Sequence, residues 1–252
     1  MAFGRRNREG PLSVVDMHCH ILPGLDDGSR DLTETVEMLE IAASEGIREM
    51  VVTPHFNSSG RSAPPEKVLY TMERVQAVAQ RENIPIQLYP GNEVYFFEEL
   101  PRFLRENRVM TLNRSRHVLI EFSPSAMFQT IRNAMDSVLG TGFVPVLAHV
   151  ERYECMVGDA ENAEFLWDMG VELQVNAASV VGKTGASAKK LTHSLLKDGL
   201  VSYVATDAHS SGHRAPEMEK CLELLLKKYS SNYVSQILRE NAVRAFGLAA
   251  RG

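Results

Sequence analysis

The stretch VVDMHCHILPGLDDGSRD, residues 14–31, decides how the chain is read. An apolar run stops at His18 and His20, and a loop with Asp26, Asp27 and two glycines follows. Side chains alternate across a strand, so residues 16, 18 and 20 are expected on one face. Two imidazoles side by side at a strand end, with carboxylates close behind, suit a metal ion.

The same pattern recurs along the chain. SVVDMH (13–18) reads as a strand and 31–46 as a helix, with Val36, Leu39 and Ala43 in helical phase and Gly46 ending it. Further strands are expected at 48–55, 86–94, 117–123, 143–149, 171–176 and 200–209. Helices are expected within 65–82 and near 98–106, 125–141, 160–169 and 186–198, and 214–247 reads as two helices covering one end. Seven apolar runs, most separated by helices, point to an α/β fold with a parallel sheet. A closed barrel is the leading architecture at this length, and a doubly wound open sheet is the alternative. No linker or internal repeat breaks the chain, so a single domain over 13–252 is expected.

Composition narrows the function. With 252 residues, 44% hydrophobic and 23% charged, the chain matches an ordinary soluble globular protein. A net charge of -5 argues against nucleic-acid binding, which calls for a basic stripe. The basic opening MAFGRRNREG is followed by no apolar segment long enough for a signal peptide or a membrane span. A cytoplasmic, non-membrane protein with a flexible tail over 1–12 is therefore expected. The three cysteines are widely spaced, which speaks against a disulfide framework or a thiolate zinc site. None has an arginine six residues on, where Leu25, Glu161 and Lys227 stand instead, so no thiol-nucleophile loop exists. GKT at 182–184 fails as a nucleotide loop because position 177 is Ala.

The chemistry collects where the apolar runs end: His18 and His20, then His55, Glu93, Glu121, His149, Asn176, and Asp207 with His209. In parallel α/β folds the carboxyl ends of the strands share one rim, so these side chains converge. Crowding so many polar groups there is costly unless a cation pairs with them. Asp27 from the first loop joins the set, and Asn176 is a poor ligand. The candidate donors are therefore His18, His20, Asp27, His55, Glu93, Glu121, His149, Asp207 and His209. Imidazole and carboxylate without thiolate favour manganese, iron or zinc over copper. The set is too large for one ion and fits two or three if a carboxylate bridges, with Glu93 the natural bridge. Such a rim attracts a phosphate dianion. Arg152, in AHVERY, and Arg214, in HSSGHRAPE, follow His149 and His209 closely and should sit on the same rim, where guanidinium forks match phosphate oxygens.

Other residues read more plainly. Cys19 should face away from the histidines and pack under the first helix. His117 and His193 read as solvated surface residues, and His213 is a secondary candidate for a proton donor. Tyr95, Phe96 and Phe97 read as core, or as the wall of a groove for an aromatic substrate.

Taken in order, HCH, TPH, GNEV, IEF, AHVERY and TDAH resemble the PHP (polymerase and histidinol phosphatase) metallohydrolases. The chain is more closely similar to the manganese-dependent tyrosine phosphatases of bacterial capsule and exopolysaccharide synthesis, the CpsB/CapC-like type. Their D-x-H-x-H-x-L-P-G-x-D-D-G signature stands here at 16–28, and the resemblance runs from about 14 to 246. It implies a distorted (β/α)7 TIM-like barrel of the PHP type around three divalent ions, manganese first, with iron or zinc as alternatives. Carried over by position, His18, His20, Glu93 and Asp207 hold one ion, Glu93, Glu121 and His149 a second, and Asp27, His55 and His209 a third. Arg152 and Arg214 become the catalytic, phosphate-binding residues. The implied activity is hydrolysis of phosphotyrosine on a protein, by attack of a metal-bound hydroxide. The implied substrate is the tail of a bacterial tyrosine kinase. The alternatives are a small-molecule phosphatase of the histidinol-phosphate or nucleotide kind, and a non-catalytic metal-binding docking module.

Overall fold

A computed structural model describes residues 12–59 and 62–249. The tail expected over 1–12 thus lies, apart from Leu12, outside the described residues. Nine strands occur among them: β1 (Val14–Cys19), β2 (Ile47–Val52), β3 (His55–Phe56), β4 (Gln87–Pro90), β5 (Glu93–Tyr95), β6 (His117–Glu121), β7 (Val144–Leu147), β8 (Glu172–Asn176) and β9 (Tyr203–Ala205). Every pairing is parallel, in the orders β1-β2-β4 and β3-β5-β6-β7-β8-β9. The intervening segments are helical, including α1 (Leu32–Ser44), α2 (Pro65–Arg81), α3 (Leu100–Arg105) and α4 (Phe128–Leu139).

Two of the expected strands are each broken in the middle. Pro54, which has no N–H to donate, ends β2, and the Gly91–Asn92 pair ends β4. Asn92 bridges the break by donating to the Pro54 carbonyl at 2.9 Å and accepting from the Met110 N–H at 3.1 Å. Beyond the break His55 pairs with Glu93, which brings both to the rim. Counting β2/β3 and β4/β5 as single staves leaves seven strand positions, the number of apolar runs read from the sequence.

The curl closes where β9 meets β1. The Asp207 N–H donates to the His18 carbonyl at 2.9 Å, and the His20 N–H to the Ala208 carbonyl at 2.8 Å. Just below, the fully buried Asp16 carboxylate accepts from the Thr206 N–H at 2.9 Å and from its hydroxyl at 2.5 Å. The alternation expected over 16–20 does not run straight through, because the β1/β2 register shifts between Asp16 and Cys19. Val15 and Met17 join the apolar cluster inside the curl, whereas Cys19 joins the outer one with Met38 and Leu39 of α1. His18 and His20 still flank an outward Cys19 and reach the same partners.

The C-terminal segment 231–246 closes the opposite end. Phe246 packs on Tyr203 and His117, at the starts of β9 and β6, with ring centroids 5.3 and 5.5 Å apart. His117 is therefore not the solvated residue expected, and His193 is also partly covered, with Nε2 3.1 Å from the Val180 carbonyl. Arg239 anchors the segment with two bonds, of 2.7 and 3.1 Å, to the buried Glu49 of β2. No described helix is long and apolar enough to cross a membrane. Removing one partner of a buried ion pair strands the other charge, so Arg239→Ala is expected to cost about 3–5 kcal/mol in urea unfolding. Replacing both, as Glu49→Leu with Arg239→Met, should recover most of that loss.

Candidate metal centre

All nine donors read from the sequence meet at the carboxyl rim. His18 Nε2 lies 3.1 Å from Glu93 Oε2 and 3.5 Å from Asp207 Oδ1, and His20 Nε2 lies 3.2 and 3.7 Å from the same two atoms. His55 Nδ1 stands 3.2 Å from Glu93 Oε2 and 3.0 Å from Glu121 Oε1, and His149 Nε2 is 3.0 Å from Glu93 Oε1. On the outer side Asp27 Oδ1 is 3.3 Å from His55 Nε2 and 3.6 Å from His209 Nε2. Three groups of donors lie close enough to share an ion: His18, His20, Glu93 and Asp207; His55, Glu93 and Glu121; and His20, Asp27, His55 and His209. His149 borders the second through Glu93 and Glu121.

Local backbone geometry aims these groups. His149 and Asp207 both take left-handed conformations, φ 32° and 55°, turning the chain sharply at the ends of β7 and β9. Gly28 lies so near His20 that a Cβ there would fall 2.1 Å from the His20 carbonyl oxygen. That approach lets the Ser29 N–H donate to His20 O at 3.0 Å and folds Asp26 back under the ring. Asp26 accepts from His20 Nδ1 at 2.7 Å and from the His55 and Gly28 N–H groups, each at 3.0 Å.

The charge balance is tight. Burial disfavours the charged form of His20, yet its hydrogen bonds to Asp26 and Glu93 more than reverse this and raise it to about 10. Burial likewise works against the Asp26 carboxylate, and the bond and charge of His20 pull it down to about 2. Glu93 stays ionised for the same kind of reason: burial opposes its charge, and His18 and His149 overcome that. His209, buried and facing the His20 charge, is lowered to about 3.

The donor set fits divalent cations. His20 Nδ1 is committed to Asp26 and His18 Nδ1 lies 3.1 Å from Gln174 Oε1, so the two Nε2 atoms face each other at 3.2 Å. Two imidazole lone pairs at that distance repel unless a cation or proton lies between them. His149 Nδ1 is buried with no hydrogen-bond partner while Nε2 faces Glu93, so neither tautomer satisfies both ring nitrogens.

Both sequence-picked arginines reach the rim through Asp207 Oδ2, Arg214 Nη2 at 2.8 Å and Arg152 Nη1 at 3.4 Å. Each side chain stays about two-fifths exposed, 42% for Arg152 and 38% for Arg214. They line a cleft of about 940 Å³ together with Pro124, Val157, Asn176 and Asp207. His213 is also on its wall. Phe96 and Phe97 are packing residues, against Phe122 and Phe103, and Tyr95 is exposed. Reading for donors at strand ends passed over Asp26 and Gln174. Asp26 carried a signal in the doubled acid of DDG, and Gln174 in being one of two amides, with Asn176, in the run VELQVN.

Fold and site together define a parallel α/β barrel with a polynuclear-type donor cluster at its carboxyl rim. The chain belongs to the CpsB/CapC family of capsular polysaccharide synthesis, whose sequence profile matches residues 14–246. It is 29% identical over 229 residues to the tyrosine-protein phosphatase YwqE of Bacillus subtilis, covering 91% of this chain and 90% of that one. It is also 31% identical over 205 residues to a putative tyrosine-protein phosphatase CapC of Staphylococcus aureus, covering 80% of this chain and 79% of the other. Among solved structures it superposes with a TM-score of 0.87 on one from crystal structures of YwqE from Bacillus subtilis and CpsB from Streptococcus pneumoniae, described as unique metal-dependent tyrosine phosphatases. That match has 29% identity and covers 92% of this chain and 94% of the other.

Gly28→Ala tests the loop's part in the centre. Overpacking against His20 should cost about 1–3 kcal/mol of stability. By lifting Asp26 off the ring it should also lower the divalent-metal content found by elemental analysis of the purified chain.

Proposed function

We propose that the chain is a metal-dependent protein-tyrosine phosphatase that hydrolyses the phosphomonoester of phosphotyrosine. The observation that carries this reading is the meeting of eight clustered imidazole and carboxylate donors, with His149 beside Glu93, and two part-exposed guanidiniums on one rim. His18, His20, Glu93 and Asp207 would hold one ion, Glu93, Glu121 and His149 a second, and Asp27, His55 and His209 a third. When bound, such ions supply Lewis acidity toward phosphoryl oxygens and bring the ionisation of water toward neutrality.

The protein's own residues do the rest. Arg152 and Arg214 stand beside the cluster and offer paired N–H donors to the non-bridging phosphate oxygens. Glu93 fixes four imidazoles at once, so the donors are placed before substrate arrives. The cleft is large enough for an aromatic phosphoester with flanking peptide. A tyrosinate leaving group, with a parent pKa near ~10, asks little of a general acid. Membership of a capsular polysaccharide synthesis family supports a bacterial tyrosine kinase as the phosphotyrosyl partner, with the chain itself cytoplasmic. Manganese is the first choice of ion, because hard carboxylates share the site with imidazoles, and iron and zinc accept the same donors.

The test is a side-by-side assay of metal-loaded protein on a phosphotyrosyl peptide and on histidinol phosphate. The peptide should be hydrolysed preferentially; turnover of histidinol phosphate alone would replace this reading with the small-molecule one. Chelation should abolish turnover and manganese should restore it. Arg214→Ala should lower kcat by about 100-fold or more, since it removes a charged donor from the developing phosphoryl charge. An unchanged rate in that variant would move the phosphate site elsewhere.

A further inference from the structure

We infer that Gln174 is the positioning residue of the centre: one buried amide sets the His18 tautomer, holds the His149 turn and, through Asn176, orients Asp207. The inference rests on the reading of the cluster as a metal site.

The direction of every bond in this chain follows from one donor that cannot be reversed. The backbone N–H of His149 points at Gln174 Oε1 from 2.8 Å, so that atom is the carbonyl oxygen of the amide. The same oxygen lies 3.1 Å from His18 Nδ1, which must therefore carry the proton. His18 is left with its Nε2 lone pair turned toward Glu93 and Asp207. The other end of the amide is then an NH₂, and it donates to Asn176 Oδ1 at 2.8 Å. Asn176 is oriented in turn and donates from Nδ2 to Asp207 Oδ2 at 3.0 Å.

That last bond divides the labour of the Asp207 carboxylate. Oδ2 is taken by Asn176, Arg152 and Arg214, while Oδ1 faces His18 and His20. Gln174 is fully buried and Asn176 nearly so, which leaves little room for solvent to replace either link. Residues on β1 and just past the ends of β7 and β9 are thus aligned from one strand, β8, that offers no imidazole or carboxylate of its own to the cluster. Groups that fix a ligating histidine's tautomer typically change metal affinity by about 10–100-fold when removed.

Gln174→Met keeps the length and volume of the side chain but neither accepts from His18 nor donates to Asn176. Titration of the stripped full-length protein with zinc should show affinity weakened by about 10–100-fold. The ¹⁵N spectrum of the metal-stripped variant should lose the His18 Nδ1–H pattern. Gln174→Glu still accepts from both His18 and His149 and should restore the tautomer, but it has no N–H for Asn176, so its zinc affinity should stay about tenfold below the parent, level with Asn176→Ala. Asn176→Ala cuts only the limb to Asp207. It should weaken zinc by about tenfold with the His18 signal intact, and it decides the matter if the Met variant does not fold. Ser202→Ala, which removes a buried bond to the Leu173 N–H on the same strand pair, controls for lost stability. Parent affinity and an unchanged tautomer in Gln174→Met would overturn the inference. So would a loss in Ser202→Ala equal to that in Gln174→Met, and so would unchanged affinity in Asn176→Ala. Failure of the parent protein itself to bind zinc or manganese would instead sink the metal reading on which the inference stands.

Discussion

One buried carboxylate governs this molecule. Glu93 touches four imidazoles, with His18, His20 and His55 within 3.2 Å of Oε2 and His149 at 3.0 Å from Oε1. A group 1% exposed cannot hold its charge among apolar strands without compensation. Protonated imidazoles supply only part of that compensation, since the Nε2 atoms of His18 and His20 stand 3.2 Å apart, too close for both to carry a proton there. Divalent cations held by these donors would meet both demands at once, and the rest of the architecture serves to bring these groups together.

The barrel provides that assembly by converting distance along the chain into adjacency. His18 on β1 and His149 just past β7 are far apart in order and meet because the curled sheet closes between β1 and β9. Closure rests on specific polar bonds, Asp16 to Thr206 and the backbone pairs around His18 and Ala208, placed directly under the cluster. Packing and chemistry are segregated along the barrel axis. Apolar side chains with Phe246 and the Glu49–Arg239 pair fill the amino end, and the ionisable groups crowd the carboxyl end.

The convergence of most candidate donors was legible in the sequence, for a physical reason. A strand that ends in His, Glu or Asp after an apolar run presents a polar group where a parallel barrel gathers strand ends, so composition and position together name the donors. Arg152 and Arg214 were legible through their closeness to His149 and His209. What stayed hidden were partners defined only in three dimensions. Gln174 meets His18 across 156 residues, and no local spacing announces such a bond. The break at Pro54 and Gly91 also escaped, because the apolar runs pass through it, and His117 was misjudged because its cover, Phe246, comes from the far end of the chain.

Anomalous diffraction at the manganese edge, on crystals of the manganese-loaded protein, asks the central question directly. The account predicts more than one peak within about 2.0–2.2 Å of Glu93 oxygens, with His18, His20 and His149 nitrogens completing the coordination. Peaks confined to the protein surface, or a rim where Glu93 contacts no metal at all, would contradict it.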